Sequence, residues 1–346
     1  MNICYLACVE RDLFARSWTC AGRVSDVEQP GAWVRASSSG DDVIVMRGED
    51  LELRAFYNLC RHRGTPLLDG DSGLISGRSS SVVCPYHGWA YACSGALVKA
   101  PSAPDDFDRR AWGLRRVRVA EWQGFVFVAL DERAPSFAEW MGEVPPPLAQ
   151  AKLAHARRAR RVSWETAANW KLLVSNFQES HHFPNVHPEL ERLTPTRRAR
   201  TWLRPGSKWL AGEMDIVEAE TVSTTGKLEG RALLVPSERA RFVFDAMLFP
   251  LMLTSLQPDY FLTYRLEPLT DDATRVVAET FVHASVPESA DLSSIFSFWD
   301  TVNAQDRAIC ERQARGVRSR GFSPGPRIPA DEGVHAFEDM LLKEMA

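Results

Sequence analysis

Two short segments that each pair a cysteine with a histidine constrain this chain more than any other feature of its 346-residue sequence. The first pair is Cys60 and His62, and the second is Cys84 and His87. Stretches of β-branched or alternating residues flank both pairs, with glycine and proline beside them, which predicts turns between short strands. Two such turns can present two thiolates and two imidazoles to one metal centre. The sequence therefore predicts a metal-binding unit built on strands.

This set of side chains is compatible with two kinds of metal centre. A Rieske [2Fe–2S] cluster takes cysteine ligands on one iron and histidine ligands on the other. A structural zinc site also accepts two cysteines and two histidines, but its usual spacing places cysteine with cysteine and histidine with histidine. Each pair in this chain is mixed, which favours the cluster. A third interpretation, four unrelated core residues, is weaker than either.

The residues around the two pairs extend the pattern beyond the four side chains. Residues 58–64 and 84–91 closely resemble the cluster motif of the α subunits of Rieske non-haem iron ring-hydroxylating oxygenases. Residues 97–101 and 124–128 are also similar to that family. The resemblance implies a [2Fe–2S] cluster with four ligands, namely Cys60, His62, Cys84 and His87.

A second group of polar residues lies in a segment that is otherwise apolar. Residues 170–183 are predicted to form a helix, in which Asn176, Glu179 and His182 recur at every third position, roughly along one face. The apolar neighbours indicate burial, where an unpaired polar group costs about 1–3 kcal/mol. His182 and the later His187 could converge on one metal. The two-His-one-carboxylate triad of non-haem Fe(II) oxygenases would then need one more ligand.

The same family resemblance indicates where the missing ligand lies. Residues 179–188 resemble the family's mononuclear iron motif, in which an acid precedes two histidines. Residues 298–311 resemble its late helix, whose acidic ligand matches Asp306, with Glu311 as the alternative. The resemblance implies a mononuclear Fe(II) with three ligands, namely His182, His187 and Asp306.

Glu179 and Asn176 are predicted to act at this site without binding the metal. In the family an acid at the position of Glu179, more often aspartate, hydrogen-bonds one iron-ligand histidine and a cluster-ligand histidine of the next subunit. The resemblance therefore places Glu179 between His182 and His87 of the partner subunit, and it implies a cyclic homotrimer. His181 occupies a position that is often tyrosine in the family, so it is not expected to be a ligand.

The pattern of predicted secondary structure changes near residue 135. Residues 17–130 predict short strands separated by Gly, Asp, Ser and Pro, hence an all-β unit. The later part predicts helices at 170–183 and 293–317, and strands at 213–224, 232–235, 243–253, 260–267 and 275–283. We therefore predict an α+β protein, with a Rieske domain at 14–132 and a catalytic domain formed by 1–13 and 133–346. The resemblance implies a helix-grip, Bet v 1-like catalytic domain with a twisted antiparallel sheet.

Charge and hydropathy exclude several functional classes. Lysine and arginine total 41 against 45 aspartates and glutamates, and the net charge of −4 gives no general attraction to nucleic acid. No stretch approaches the roughly 20 apolar residues of a membrane span, and residues 1–11 lack a secretory signal, so we expect a cytoplasmic protein. The sequence also lacks a glycine-rich dinucleotide motif. NAD(P)H is therefore expected to act only through a partner, a flavin reductase and/or a ferredoxin.

These features together predict the terminal oxygenase component of a Rieske system. It would use O2 to hydroxylate, or to N-demethylate, a small organic substrate. Residues 179–190 and 298–311 resemble the branch with glycine betaine, choline and carnitine oxygenases, and an aromatic-ring mono- or dioxygenase is the alternative. The non-enzyme alternatives are a Rieske electron-transfer protein, which the second metal motif argues against, and a catalytically silent binding homologue. Five residues of the strand-rich second half could line a substrate cavity or simply belong to the core: Trp209, Met247, Phe249, Tyr260 and Tyr264.

Overall fold

The computed structural model describes residues 3–38, 40–75 and 81–345, with side chains from residue 10 onward. The chain divides into two compact units, Met1–Phe137 and Ala138–Ala346. Helix α1 (Ile3–Arg16) joins the first unit, because the Ala15 carbonyl accepts the backbone N–H of Leu130 and of Asp131 at 3.1 and 2.9 Å. The predicted boundaries at 13/14 and 132/133 differ from this division, most clearly in the placement of residues 1–13.

The first unit is built from strands, as predicted for residues 17–130. The described residues form β1 (Thr19–Arg23), β2 (Ala32–Ser38), β3 (Asp41–Arg47), β4 (Leu53–Tyr57), β5 (Ser72–Leu74), β6 (Ser81–Val83), β7 (Ala90–Ala92), β8 (Leu97–Lys99), β9 (Arg116–Trp122) and β10 (Phe125–Ala129). One antiparallel sheet has the order β1-β10-β9-β4-β3-β2-β5, and a second contains β6, β7 and β8. The predicted all-β Rieske unit is confirmed.

Local sequence explains how the buried strands of the larger sheet pair. β10 reads FVFVA and is buried throughout, which suits β-branched and aromatic side chains. Gln123 and Gly124 connect it to β9 with φ values of 51° and 77°. Two consecutive left-handed residues form the hairpin turn whose twist matches that of antiparallel strands. Val126 and Val128 then share an apolar core with Val45 of β3, which fixes the sheet that carries the loops described below.

Helices and strands are interleaved in the second unit and in the segment that leads into it. The strands are β11 (Ala156–Thr166), β12 (Arg200–Trp202), β13 (Trp209–Asp215), β14 (Phe242–Leu248), β15 (Met252–Leu256), β16 (Tyr260–Thr270) and β17 (Ala273–His283). The helices are α2 (Phe137–Met141), α3 (Pro146–Gln150), α4 (Trp170–Phe177), α5 (Phe183–Val186), α6 (Pro188–Leu193), α7 (Ser293–Val317) and α8 (Glu332–Met345). The strands form one antiparallel sheet in the order β11-β17-β16-β15-β14-β13-β12, which confirms the α+β class.

Three predicted strands of this unit are wrong in extent. β13 ends at Asp215, so the segment predicted to continue to residue 224 is a loop, and residues 232–235 are not in a strand. The apolar run at 243–253 contains a turn around Pro250, which separates β14 from β15 because proline lacks the N–H that a ladder needs. The two later predicted strands are confirmed within β16 and β17.

The helix predicted over residues 170–183 is too long. α4 ends at Phe177, so Asn176 lies on the helix whereas Glu179 and His182 follow it. The Glu179 carboxylate accepts the backbone N–H of His182 at 3.2 Å, and this local side-chain bond competes with continuation of the helix. The helix predicted at 293–317 is confirmed as α7. No helix in the described part of the chain has the length and apolar character needed to cross a membrane.

Candidate metal centres and substrate cavity

Two loops of the first unit present the predicted cluster residues, and both loops close in the same way. In the first, the Cys60 N–H donates to the Thr65 carbonyl at 2.8 Å, and the Gly64 N–H donates to the Cys60 carbonyl at 2.9 Å. The second loop repeats these bonds at 2.7 and 3.1 Å between Cys84, Trp89 and Gly88. Both glycines have positive φ, a backbone conformation that glycine adopts without steric cost.

The four predicted ligands differ in exposure. Cys60 and Cys84 are buried free thiols, whereas His62 is exposed and His87 is partly buried. The two imidazole rings are adjacent, with centroids 4.7 Å apart, and His62 stacks on Trp89 at an angle of 5°. A cluster held here would therefore have its thiolate end in the core and its imidazole end near the surface, where electrons can be exchanged.

One observation indicates that His87 binds a metal, and a second fits a two-iron cluster better than a single ion. His87 Nδ1 is buried and meets no hydrogen-bond partner among the residues that the structure describes, an unfavourable arrangement unless the atom has a ligand. Ligand atoms around one tetrahedral zinc would lie about 3.3–3.8 Å apart. Among the described residues, no three of the four side chains bring their ligand atoms within 4.8 Å of one another. The geometry therefore favours the cluster over the zinc alternative.

Tyr91 closes the inner side of the cluster site. It is fully buried, and its hydroxyl accepts the Arg61 N–H at 3.0 Å and lies 3.4 Å from Cys60 Sγ. Burial and the bond to Cys60 both raise the pKa of the Tyr91 phenol, so the hydroxyl keeps its proton and can donate it to a thiolate. Hydrogen bonds to cluster sulfurs tune the reduction potential. The sequence motif includes Tyr91, but the contact becomes visible only in the structure.

The three predicted iron ligands of the second unit lie together. Asp306 Oδ1 is 2.9 Å from His187 Nε2 and 3.5 Å from His182 Nε2, and one ligand atom of each residue lies within 4.8 Å of the others. Ligands at right angles and about 2.1 Å from a metal are about 3 Å apart, so these separations fit a facial triad. His182 lies in the turn after α4, His187 between α5 and α6, and Asp306 on α7.

Apolar packing of α7 holds Asp306 in place. Four other residues spaced by four along this helix are buried, and Asp306 occupies the middle of their row: Phe298, Val302, Cys310 and Ala314. The first two share a core with Phe183, and the last two share a core with Ala168. Residues i and i+4 lie on one ridge of a helix. The position of a carboxylate in the middle of a row of buried apolar residues therefore indicates Asp306 independently of the family resemblance.

Both histidines of the triad are oriented through their Nδ1 atoms. Glu179 Oε1 lies 2.5 Å from His182 Nδ1, and Gln305 Oε1 lies 2.6 Å from His187 Nδ1. Because an amide oxygen can only accept, His187 Nδ1 carries the proton and its Nε2 is left for a metal. Sequence analysis does not identify Gln305, which lies directly before Asp306 on α7.

The electrostatics of the triad define a site that needs positive charge. Burial lowers the pKa of His182, but hydrogen bonds to Asp306 and Glu179 outweigh burial and raise that pKa to about 9. Burial raises the pKa of Asp306, but the bonds to His182 and His187 bring it below its ordinary value. The negative charge of the carboxylates thus favours either protonated imidazoles or a bound metal ion. Because a metal binds the unprotonated imidazoles, it competes with those protons.

The remaining predicted site residues lie around the triad. His181 Nε2 is 2.7 Å from Asp331 Oδ1, and His181 is not part of the group of three ligand residues. Glu311, the alternative to Asp306, accepts the Ala167 N–H at 3.2 Å and belongs to no such group within the described residues. Asn176 lies in the wall of the cavity described next.

A cavity of about 480 Å³ lies beside the triad, and all three triad residues contribute to its wall. This volume is typical of a site for a small molecule. One face of the sheet forms another part of the wall, through alternate residues such as Val243 and Asp245 of β14 and Leu253 and Ser255 of β15. Of the five residues predicted to line a cavity, Tyr264 belongs to the wall and the other four are buried core residues.

An all-β unit with a two-cysteine, two-histidine cluster site, joined to an α+β unit with a two-His-one-carboxylate site, defines a Rieske non-haem iron oxygenase α subunit. Comparison with known families agrees. The chain belongs to the family described as "Ring hydroxylating alpha subunit (catalytic domain)", which matches residues 153–346, and residues 17–121 match the Rieske [2Fe-2S] domain. The protein is therefore an oxidoreductase whose cofactors are a Rieske cluster and a mononuclear iron.

Individual relatives extend over nearly the whole chain. The glycine betaine monooxygenase oxygenase subunit of Pseudomonas aeruginosa is 26% identical over 368 residues, covering 97% of this chain and 85% of the relative. The carnitine monooxygenase oxygenase subunit of Acinetobacter pittii is 29% identical, covering 92% and 84%. A solved quaternary ammonium Rieske monooxygenase superimposes with a TM-score of 0.82 at 22% identity, covering 97% and 91%, which confirms the fold.

Proposed function

We propose that this chain hydroxylates a carbon bound to a substrate nitrogen, at an iron held by His182, His187 and Asp306. The observation that carries the proposal is the convergence of these three side chains in the wall of a cavity of small-molecule size. Two imidazoles and one carboxylate bind Fe(II) and leave coordination positions open for dioxygen. The names of the relatives, which act on glycine betaine and carnitine, support a substrate with a methylated nitrogen.

The protein groups around the iron have definable parts in this reaction. When bound, Fe(II) supplies the activation of dioxygen that side chains cannot perform. Glu179 and Gln305 hold the Nδ1 atoms of His182 and His187, so that both rings stay oriented and both Nε2 atoms stay available. The overall reaction inserts one oxygen atom into a C–H bond and releases the other as water, consuming two electrons and two protons. A hydroxylated N-methyl group then leaves as formaldehyde, which gives the demethylated amine.

The electrons would enter through the cluster of the first unit. We assign Cys60 and Cys84 to one iron of that cluster, and His62 and His87 to the other. A flavin reductase, with or without a ferredoxin, would deliver the electrons from NAD(P)H, since the sequence has no dinucleotide motif of its own. The proposal places this system in the cytoplasm.

Glu179 carries the route between subunits in this proposal. Its Oε1 holds His182 Nδ1, and its Oε2 lies 3.4 Å from His181 Nε2. In a homotrimer the same carboxylate would also meet His87 of the partner subunit. The solved relative supports this arrangement, because it is described in terms of inter-subunit electron transfer. Asn176, on α4 in the cavity wall, is proposed as a further catalytic residue.

Substrate-dependent oxygen uptake tests the proposal. The holoenzyme, with NADH and a surrogate flavin reductase, is given choline, glycine betaine, carnitine and trimethylamine, and separately benzoate and naphthalene. Oxygen uptake with formaldehyde or a hydroxylated product from a nitrogen substrate is the expected result. Turnover confined to the aromatic set would favour the ring-hydroxylating alternative. A holoenzyme loaded with both cofactors that consumes no oxygen with either set would favour a silent binding homologue.

A further inference from the structure

One carboxylate in the cavity wall has no part in the chemistry proposed above. Asp245 on β14 lies opposite Ser255 of β15 in the sheet. Its Oδ1 atom is buried and has no hydrogen-bond partner in the part of the chain that the structure describes. The Ser255 hydroxyl bonds the carboxyl group, and the Gln257 amide donates to Ser255 Oγ at 2.8 Å. The hydrogen-bonding groups around the Asp245 carboxyl group are thus neutral.

An ionised carboxylate in such surroundings is unfavourable unless a cation joins it. Taking the charge out of water is offset only by a partner charge or by several hydrogen bonds, and burial here raises the pKa of Asp245 to about 7. Three other carboxylates of the wall already have partners. Glu179 and Asp306 hold histidines, and Glu213 accepts from Arg200 at 2.9 Å. Asp245 alone among these four retains the capacity for a cationic partner.

The cationic side chains of the wall are not available to Asp245. Arg200 is held by Glu213 and Asp215, at 2.9 and 2.7 Å. Arg307 is held by Glu311 at 3.2 Å. Among the described wall residues, no arginine or lysine is left without a carboxylate partner. The wall therefore offers a free anionic group but no free cationic group to a bound molecule.

Aromatic side chains belong to the same cavity wall as Asp245 and the triad. The charges of Asp306 and Asp245 both add to burial in raising the pKa of Tyr264, so Tyr264 lies within electrostatic range of both carboxylates. Phe177 meets Tyr264 edge to face, with ring centroids 6.4 Å apart. Trp299, also in the wall, is fixed by the hydrogen bond that its indole N–H donates to Tyr260 at 2.7 Å. Aromatic faces attract ammonium groups, quaternary ones included.

We infer that Asp245 is the recognition group for a cationic substrate nitrogen, and that the preferred substrate carries a positive charge without a carboxylate. This inference rests on the proposed function and names the substrate class of the same site. A methylated ammonium would meet the carboxylate of Asp245 and the aromatic faces of the wall together. A betaine would bring a carboxylate for which the described wall has no free cation, so zwitterions should bind less tightly.

Binding to the anaerobic holoenzyme, measured by titration calorimetry, tests the inference without turnover. The probes are choline, its neutral carbon isostere 3,3-dimethylbutan-1-ol, and the zwitterion glycine betaine. Choline and the isostere share shape, so their ratio of affinities reports the charge alone. We expect choline to bind at least about tenfold more tightly than either of the others, the scale of one desolvated cation–carboxylate or cation–aromatic contact.

Asp245→Asn removes the charge and keeps the size of the side chain. In this variant the choline affinity should fall at least about tenfold towards that of the neutral isostere, while the isostere itself is bound as before. Asp300→Asn is the matched control. It removes the same charge from a residue of α7 that pairs with Arg160 at 2.9 Å and is not in the cavity wall. The control should keep the full preference for choline.

Three results would overturn the inference: equal binding of choline and the isostere by the unaltered protein, tighter binding of glycine betaine than of choline, or a preference for choline that is undiminished in Asp245→Asn. If that variant does not fold, the three affinities of the unaltered protein decide alone. Failure of the proposed function looks different. An enzyme that binds choline selectively but hydroxylates no nitrogen compound leaves this inference standing, whereas hydroxylation of betaine without charge selectivity overturns only the inference.

Discussion

The two metal sites differ in how far apart in the sequence their ligand residues lie. Each cluster loop holds a cysteine and a histidine within four residues and closes on its own backbone. The triad instead joins His187 to Asp306, 119 residues further on, and Asp306 is placed by the packing of α7. A site made of local turns is visible as a contiguous motif. A site made by tertiary packing draws its ligands from segments that are far apart in the sequence.

Loss of a cluster histidine is expected to have the largest effect. His87→Ala should abolish the visible absorption and the paramagnetic signal of the cluster, and with them all turnover, because the histidines hold one of its two irons. His181→Ala is the control, since His181 contacts Asp331 and is not part of either ligand set. A normal cluster spectrum in His87→Ala would show that the ligand assignment is wrong.

The link between the two sites is tested by Glu179→Gln, which keeps the size of the side chain and removes its charge. We expect the variant to assemble and to keep its cluster and most of its iron, but to turn over about 100-fold more slowly, since the residue orients His182. Mixing it with His87→Ala chains should restore partial activity, because some interfaces then join an intact Glu179 to an intact cluster. Absence of recovery in trimers shown by mass measurement to be mixed would contradict transfer between subunits.

Gln305 tests how far the catalytic site depends on residues outside its motif. Gln305→Leu removes the acceptor for His187 Nδ1–H, and the affinity for the mononuclear iron should fall about tenfold, while the cluster is unaffected. Chelator competition measures this affinity. Gln305→Glu restores an acceptor and should restore the affinity. Unchanged affinity in Gln305→Leu would mean that another contact orients His187.

The smallest expected effect is a pH dependence of stability that arises from Asp245. Asp245 has a pKa of about 7 when folded, well above that of a carboxyl group in an unfolded chain. Between these values the folded protein binds more protons than the unfolded chain, so this group's contribution to stability falls as pH rises from about 4 to 7. Asp245→Asn has no ionisable group at this position, so it removes this pH-dependent loss of stability. Without substrate, its melting temperature should exceed that of the unaltered protein by a few degrees at pH 8, and by less at pH 5. A difference in melting temperature between the two proteins that stays constant with pH would contradict the raised pKa of Asp245.

The comparison also shows which parts of the structure were predictable. The cluster residues and the pair His182 and His187 lie within short stretches, so their spacing alone is informative. The helix that precedes His182 is predicted to be too long, because the Glu179 side chain accepts the backbone N–H of His182 and so competes with continuation of the helix. The periodicity of the sequence does not reveal this competition. Asp245 and Gln305 are single polar residues in apolar or helical surroundings, and their importance appears only when β14, α7 and the histidines are brought together.

The central claim is that one chain holds a cluster and a separate mononuclear iron, the latter on His182, His187 and Asp306. The most direct measurement is the ratio of iron to acid-labile sulfide per chain after anaerobic reconstitution, compared between Asp306→Ala and Glu311→Ala. The account predicts about three irons and two sulfides for the unaltered protein and for Glu311→Ala, and about two irons and two sulfides for Asp306→Ala. Three irons in Asp306→Ala, with two in Glu311→Ala, would contradict it and assign the carboxylate ligand to Glu311.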